Sequence, residues 1–71
     1  MITLENFINL CNLEGLYSFV SIEQKEHSFE LLLFNTPILG NNFARIEEYY
    51  NNIVTNVSFN LEDKSILIEV R

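Results

Sequence analysis

"IVTNVSFNLEDKSILIEVR", residues 53–71, is the stretch whose reading decides the fold. Val57, Phe59 and Leu61 alternate with Asn56, Ser58 and Asn60, and Ile66, Ile68 and Val70 alternate with Leu67 and Glu69. A period of two is the mark of a strand with one buried face. "EDKS" between the two runs supplies the turn, so the stretch predicts a hairpin.

The rest of the chain follows by working outward from that hairpin. Upstream of it, Phe43, Ile46, Tyr50 and Ile53 recur at helical spacing, and Asn41 or Asn42 is placed to cap the helix they define. Before that helix, "TPILGNN" is punctuation, because Pro37 and Gly40 interrupt any regular element. "LYSFVSIE" (16–23) and "HSFELLLFN" (27–35) are rich in strand formers and read as a second hairpin joined through "EQKE". At the start, Leu4, Phe7, Ile8 and Cys11 form an amphipathic stripe ending by Gly15. Thr3 is its expected N-cap, with Ile2 and Phe7 as a hydrophobic staple around it. The element order is therefore α-β-β-α-β-β. It predicts an α+β fold: one two-layer domain spanning residues 1–71, with an antiparallel sheet of about four strands packed by two helices. Phe7, Ile8, Ile46, Phe59 and Ile68 are the expected core.

Composition agrees with a folded globule. Residues are 48% hydrophobic and 13% aromatic, with one Pro and two Gly, a balance that argues against disorder. No apolar run approaches the ~20 residues of a membrane span, and the first residues lack the basic start of a signal peptide. The expectation is a cytoplasmic protein of a bacterial host cell, without a membrane partner. Cys11 is the single cysteine, so no internal disulfide can form, and the thiol reads as a small core residue.

Ten Asp and Glu against four Lys and Arg give a formal charge of −6. Direct nucleic-acid binding is disfavoured, since it needs a basic stripe; a basic protein surface is the natural complement. Glu47 and Glu48 lie about 100° and 200° round the helix from Ile46, on its solvent side. Tyr49 falls between the faces. These three residues are candidate partner contacts, because Tyr is favoured at interfaces and carboxylates select basic partners. Glu23, Glu26 and Glu30 bracket the first hairpin turn, and Glu62 and Asp63 sit in the second. Side chains on a strand face repeat every ~6.8 Å and neighbouring strands lie ~4.8 Å apart, so Glu-rich tips could imitate a row of phosphates. A net charge of this size is also ordinary for a soluble domain.

Catalytic readings find no support. His27 is the sole histidine, it falls in a turn, and no Cys, His or carboxylate spacing suggests a metal site, a triad or a nucleotide-binding loop. No cofactor, metal or enzymatic activity is expected. The whole pattern, "ITLENFINLC", two β-rich stretches, the "FNTPILG" break, a helix and the closing "SILIEV", resembles the small acidic proteins of phages and mobile elements in low-GC Gram-positive bacteria, some of which are anti-CRISPRs. Ten Asn and eight Ile against one Ala fit such an AT-rich source. The resemblance implies stoichiometric inhibition: an acidic DNA mimic docking on the nucleic-acid channel of an RNA-guided CRISPR nuclease and blocking target DNA. It carries no functional residue over to a position in this chain. The alternative is a small protein-protein interaction module without mimicry, such as an antitoxin, an immunity protein or one subunit of a homo-oligomer. Convergence of the carboxylates on one face favours mimicry, and scatter favours ordinary solubility.

Overall fold

A computed structural model describes residues 1–25 and 30–71. The first helix opens as its sequence predicts: the Thr3 hydroxyl accepts a hydrogen bond from the Asn6 N–H at 3.2 Å, and α1 runs Leu4–Leu10. The chain then breaks at Cys11, in extended conformation, and restarts as the short α2, Leu13–Leu16, capped by the Asn12 side chain. Leu16, expected to open the first strand, closes α2 instead. β1 (Phe19–Gln24), β2 (Glu30–Pro37), a 3₁₀ helix (Asn41–Tyr49), β3 (Val54–Asn60) and β4 (Ser65–Val70) follow. The expected order of helices and strands holds. Glu26 and the start of the predicted second strand at His27 lie outside the described residues.

The sheet has four strands in the order β2-β1-β4-β3. Both hairpins are antiparallel, but the central pair, β1 with β4, is parallel in register from Phe19↔Ser65 to Gln24↔Val70. The wholly antiparallel sheet expected from the sequence is therefore corrected to a mixed one. The reason lies in the segment between the hairpins. β2 ends beside the start of β1, where the Ile38 N–H donates to the Ser18 carbonyl at 3.0 Å. β3 begins at the opposite end, where Ile53 and Arg71 exchange backbone hydrogen bonds. Same-direction strands require a crossover, and the 3₁₀ helix supplies it. Its nine residues rise about 18 Å at ~2.0 Å each, close to the roughly 20 Å length of six strand residues. An α-helix of equal length would rise only about 14 Å.

The change of helix type also changes its buried face. A three-residue repeat lines up Phe43, Ile46 and Tyr49, so Ile46 is buried while Phe43 and Tyr49 pack half-buried against the core. The expected stripe through Tyr50 and Ile53 continues beyond the helix: Tyr50 is its C-cap, and Ile53 forms a bridge with Thr3. Gly40, not Asn41 or Asn42, is the N-cap, and no side chain bonds there.

Val20, Ile22, Ile66, Ile68 and Val70 are buried on one face of the central strands, joined by Leu33, Leu4, Leu13, Ile38 and Ile46. Of the expected core, Ile46 and Ile68 are buried, and Phe7, Ile8 and Cys11 are half-buried against them. Phe59 departs from expectation. It opposes Ile66 on the core side of the sheet, yet it is 60% exposed and stacks on Tyr17 with ring centroids 5.8 Å apart. β3 is an edge strand, so alternation aims Phe59 toward the core side with the Tyr17 ring as its partial cover.

Candidate functional site

The parallel central pair decides where the carboxylates go. Had β4 run antiparallel to β1, the two hairpin turns would lie at one end of the sheet. With β4 parallel to β1, they lie at opposite ends. Glu62 and Asp63 occupy the β3–β4 turn beside the start of β1, while Glu30 pairs with Gln24 at the far end. Glu47 and Glu48 are exposed near the C-terminal end of the crossover helix, as expected, at the end of the sheet away from the β3–β4 turn. In a molecule 30 Å long, the candidate carboxylates form no single row among the described residues.

Glu62 and Asp63 are held in place by the turn's own hydrogen bonds. The Asn60 side-chain oxygen accepts from the Glu62 N–H at 3.0 Å, and the Asp63 carboxylate accepts from the Ser65 hydroxyl at 2.8 Å. Lys64 completes the reversal with a positive φ of 54°. Both carboxylates stand in solvent beside Leu61.

Glu23 is placed differently from its reading as an exposed tip residue. It lies within β1 on the outer face, 7% exposed, opposite Glu69 of β4. The Lys25 ammonium bridges the pair, 3.0 Å from Glu23 Oε1 and 2.8 Å from Glu69 Oε1. Two carboxylates on adjacent strands would repel each other, and Lys25 offsets one charge. Its hydrogen bond to Glu69 first, and to Glu23 second, holds the Lys25 ammonium above its ordinary pKa. The same bond to Lys25 lowers the Glu69 carboxyl, against desolvation, with help from the Asn56 side chain. Glu23 is therefore largely covered and shares the Lys25 charge with Glu69, and it lines the floor of the outer-face groove described below.

A different surface is open. Large apolar residues gather where β1 and β4 start and β2 and β3 end. Leu39 is 84% exposed, Leu61 82% and Leu16 58%, with Phe19 and Phe59 also exposed. The register places them at one end but on both faces of the sheet: Phe19, level with Ser65 and Asn60, lies on the outer face, and Phe59, opposite Ile66 and stacked on Tyr17, lies on the core side. From this end a shallow groove of about 400 Å³ runs over the outer face of the sheet, lined by Ser65, Leu67, Ser58, Phe34 and Leu31 among others. Glu62 and Asp63 form an acidic rim beside Leu61.

The sequence reads Phe59 and Leu61 as the buried face of the hairpin and Leu16 as the start of a strand, so their exposure is not expected from it, and Leu39 and Phe19 carry no reading of their own. The sequence holds no clear signal for Leu39, since its neighbour Ile38, in the same turn, is buried. Tyr49, a candidate contact, is partly withdrawn into the core by the three-residue repeat. Comparison with family models, with curated proteins and with solved structures finds no match to this chain.

Proposed function

We propose that this chain is a non-catalytic binding module that acts by occupying a surface of a protein partner, through the apolar end of its sheet and the acidic turn at that end's rim. The observation that carries the reading is the gathering of Leu16, Phe19, Leu39, Phe59 and Leu61, all exposed, at one end of a very small domain. Small soluble domains rarely leave several large side chains together in water without a use for them. An apolar centre with a charged rim is the anatomy of a protein interface. Glu62 and Asp63 beside Leu61, in a chain of net charge −6, select a partner with basic residues around an apolar pocket.

Nucleic-acid-binding defence proteins, RNA-guided nucleases among them, present basic surfaces of this kind, and the sequence resemblance makes inhibition of such a protein the role we assign. The inhibition is steric: the apolar end caps the partner's site. A phosphate-like row along both hairpin tips is not part of this reading, because the tips point to opposite ends of the sheet.

The test is a DNA-cleavage assay with a panel of guide-loaded nucleases from low-GC Gram-positive hosts, titrated with wild-type protein and with Leu39→Asp/Leu61→Asp. Both leucines are exposed, so the double variant folds. Loss of one anchor of ~2 kcal/mol weakens inhibition about 30-fold, and loss of both, at ~4 kcal/mol, about 10³-fold. Inhibition by the double variant equal to wild type would remove the apolar end as the site. Undiminished cleavage at several-fold excess of wild type across the panel would remove nucleases as the partner.

A further inference from the structure

We propose that β3 is a pairing edge and that its occupant is a second copy of this chain, joined antiparallel about a two-fold axis through Ser58. The two edges of the sheet differ in a way that exposes only one of them. β2 is interrupted: its register with β1 shifts twice, Asn35 has a positive φ of 45°, and Pro37 lacks a donor. Bulges and proline blunt an edge against further pairing. β3 has one irregularity, near its start between Val54 and Asn56, and from Thr55 to Asn60 it carries no charge, no Pro and no Gly.

Which backbone groups face outward follows from the ladder. Ile53 and Arg71 exchange both backbone hydrogen bonds. Donor and acceptor directions alternate along a strand, so Glu69, Leu67 and Ser65 of β4 face β3. Their partners Asn56, Ser58 and Asn60 face back, and the N–H and C=O groups of Val57 and Phe59 point to the open edge. The lane beside them is bounded. At one end the N-terminal segment fills it, where the Val54 N–H donates to the Ile2 carbonyl at 2.9 Å. At the other end the chain turns at Leu61.

A second β3 fits that lane antiparallel with Ser58 at its midpoint. Val57 then exchanges both backbone bonds with Phe59 of the second copy, and Phe59 with its Val57. The side chains meet as aromatic and β-branched cross-strand pairs, which covers part of the exposed Phe59 ring. Self-complementarity is what identifies the occupant: the same short lane, with the same outward groups, satisfies itself under a two-fold operation. The two copies keep their Leu39 side chains at opposite ends of the joined sheet; Phe59 belongs to both this pairing and the docking surface above, and the test below reads self-association alone, with no partner present.

Sedimentation equilibrium from micromolar to millimolar concentration tests it. Wild type moves from the 8.3 kDa monomer toward twice that mass. Ser58→Lys and Ser58→Glu, each opposing its own charge across the axis, stay monomeric, and an equimolar mixture of the two regains the doubled mass. Hydrogen exchange on the unmodified chain needs no variant: the Val57 and Phe59 amides exchange freely when dilute and slow as concentration rises. Added salt strengthens the association, since it screens two like-charged chains, whereas docking on a basic partner weakens with salt. A wild-type mass of one chain at every concentration, self-association of Ser58→Lys equal to wild type, or a doubled mass with unprotected Val57 and Phe59 amides overturns the proposal.

Discussion

Ile68→Ala and Phe59→Ala, measured side by side, test whether the load-carrying part of this fold has been placed correctly. Both residues come from the alternating pattern that decides the fold, and the pattern alone ranks Phe59, the larger, as the costlier loss. The structure reverses the ranking. Ile68 is fully buried at the centre of β4, with Ile22 of β1 on one side and Val57 of β3 on the other. Truncating an enclosed Ile leaves a cavity that flanking strands cannot close, at a cost toward the upper end of about 2–5 kcal/mol. Phe59 has only the remainder of its surface out of water. A Phe buries roughly 200 Å² when enclosed, so the covered part, about 80 Å², is worth ~2 kcal/mol at ~25 cal/mol/Å². Alanine retains a fraction of that, and the Tyr17 stack adds ~0.5–1.5 kcal/mol, which leaves a net loss of about 2–3 kcal/mol. The assay is urea unfolding followed by circular dichroism at micromolar protein, where β3 pairing between copies is negligible. A 71-residue chain has about 4–11 kcal/mol of stability in all. Ile68→Ala is therefore expected to lose a large fraction of that stability and show the larger fall in urea midpoint, and Phe59→Ala the smaller. A loss for Phe59→Ala equal to or larger than that for Ile68→Ala would refute the placement of the core.

Thr3→Ala removes the acceptor for the Asn6 N–H and is expected to lower stability by about 1 kcal/mol, read as a fall in urea midpoint with unchanged slope. The Lys25 network gives a pH dependence whose sign follows from the direction of each shift. Glu69 is lowered in the folded chain, so its contribution is present above the ordinary carboxylate pKa and is lost as pH falls through the folded value. Lys25 is raised, so its contribution is full below the ordinary lysine pKa and is lost as pH rises through the folded value. Lys25→Met flattens both limbs of the stability profile, and unchanged limbs would remove the network as their cause. Thermal scans with zinc, magnesium or ATP are expected to superimpose on the scan without additive, because one His and one Cys cannot assemble a closed site. A saturable rise in Tm with any of the three would reopen the catalytic reading.

What the sequence made legible was what local chemistry dictates. A period of two over 53–71, a cap at Thr3 and breakers at Pro37 and Gly40 each act within a few residues, and each produced the element it announced. The direction of β4 relative to β1 is not a local property. It depends on how far residues 38–53 carry the chain before the second hairpin begins, and a helix-spaced pattern of Phe43 and Ile46 serves an α-helix and a 3₁₀ helix equally. Tyr49 and Tyr50 both end half-buried against the core, so the apolar pattern holds no residue that tells the two helices apart. The sequence was silent on whether the crossover spans the sheet.

The same silence governed the candidate site. Whether Glu23 and Glu62 share a surface is a question about the direction of β4, so an unsettled strand direction left the charge distribution unsettled too. Once β4 runs parallel to β1, each acidic turn takes the apolar residues of its own end as neighbours, and those neighbours differ. Glu23 meets Lys25 and Glu69 and is largely covered. Glu62 and Asp63 follow Leu61 at the end of the sheet where Leu39 and Phe19 are also exposed among the described residues. Charge steers a partner toward the molecule from any side, but only an end that also offers desolvation holds it there. Charge reversal at Glu47 and Glu48, far from that end, is therefore expected to slow association and leave dissociation nearly unchanged. Glu62→Lys with Asp63→Lys is expected to change both rates, because those two carboxylates border the buried contact. Association and dissociation rates measured by surface plasmon resonance against the captured partner separate the two cases. Equal effects of the two double variants on dissociation would mean that the contact is not centred on Leu39 and Leu61.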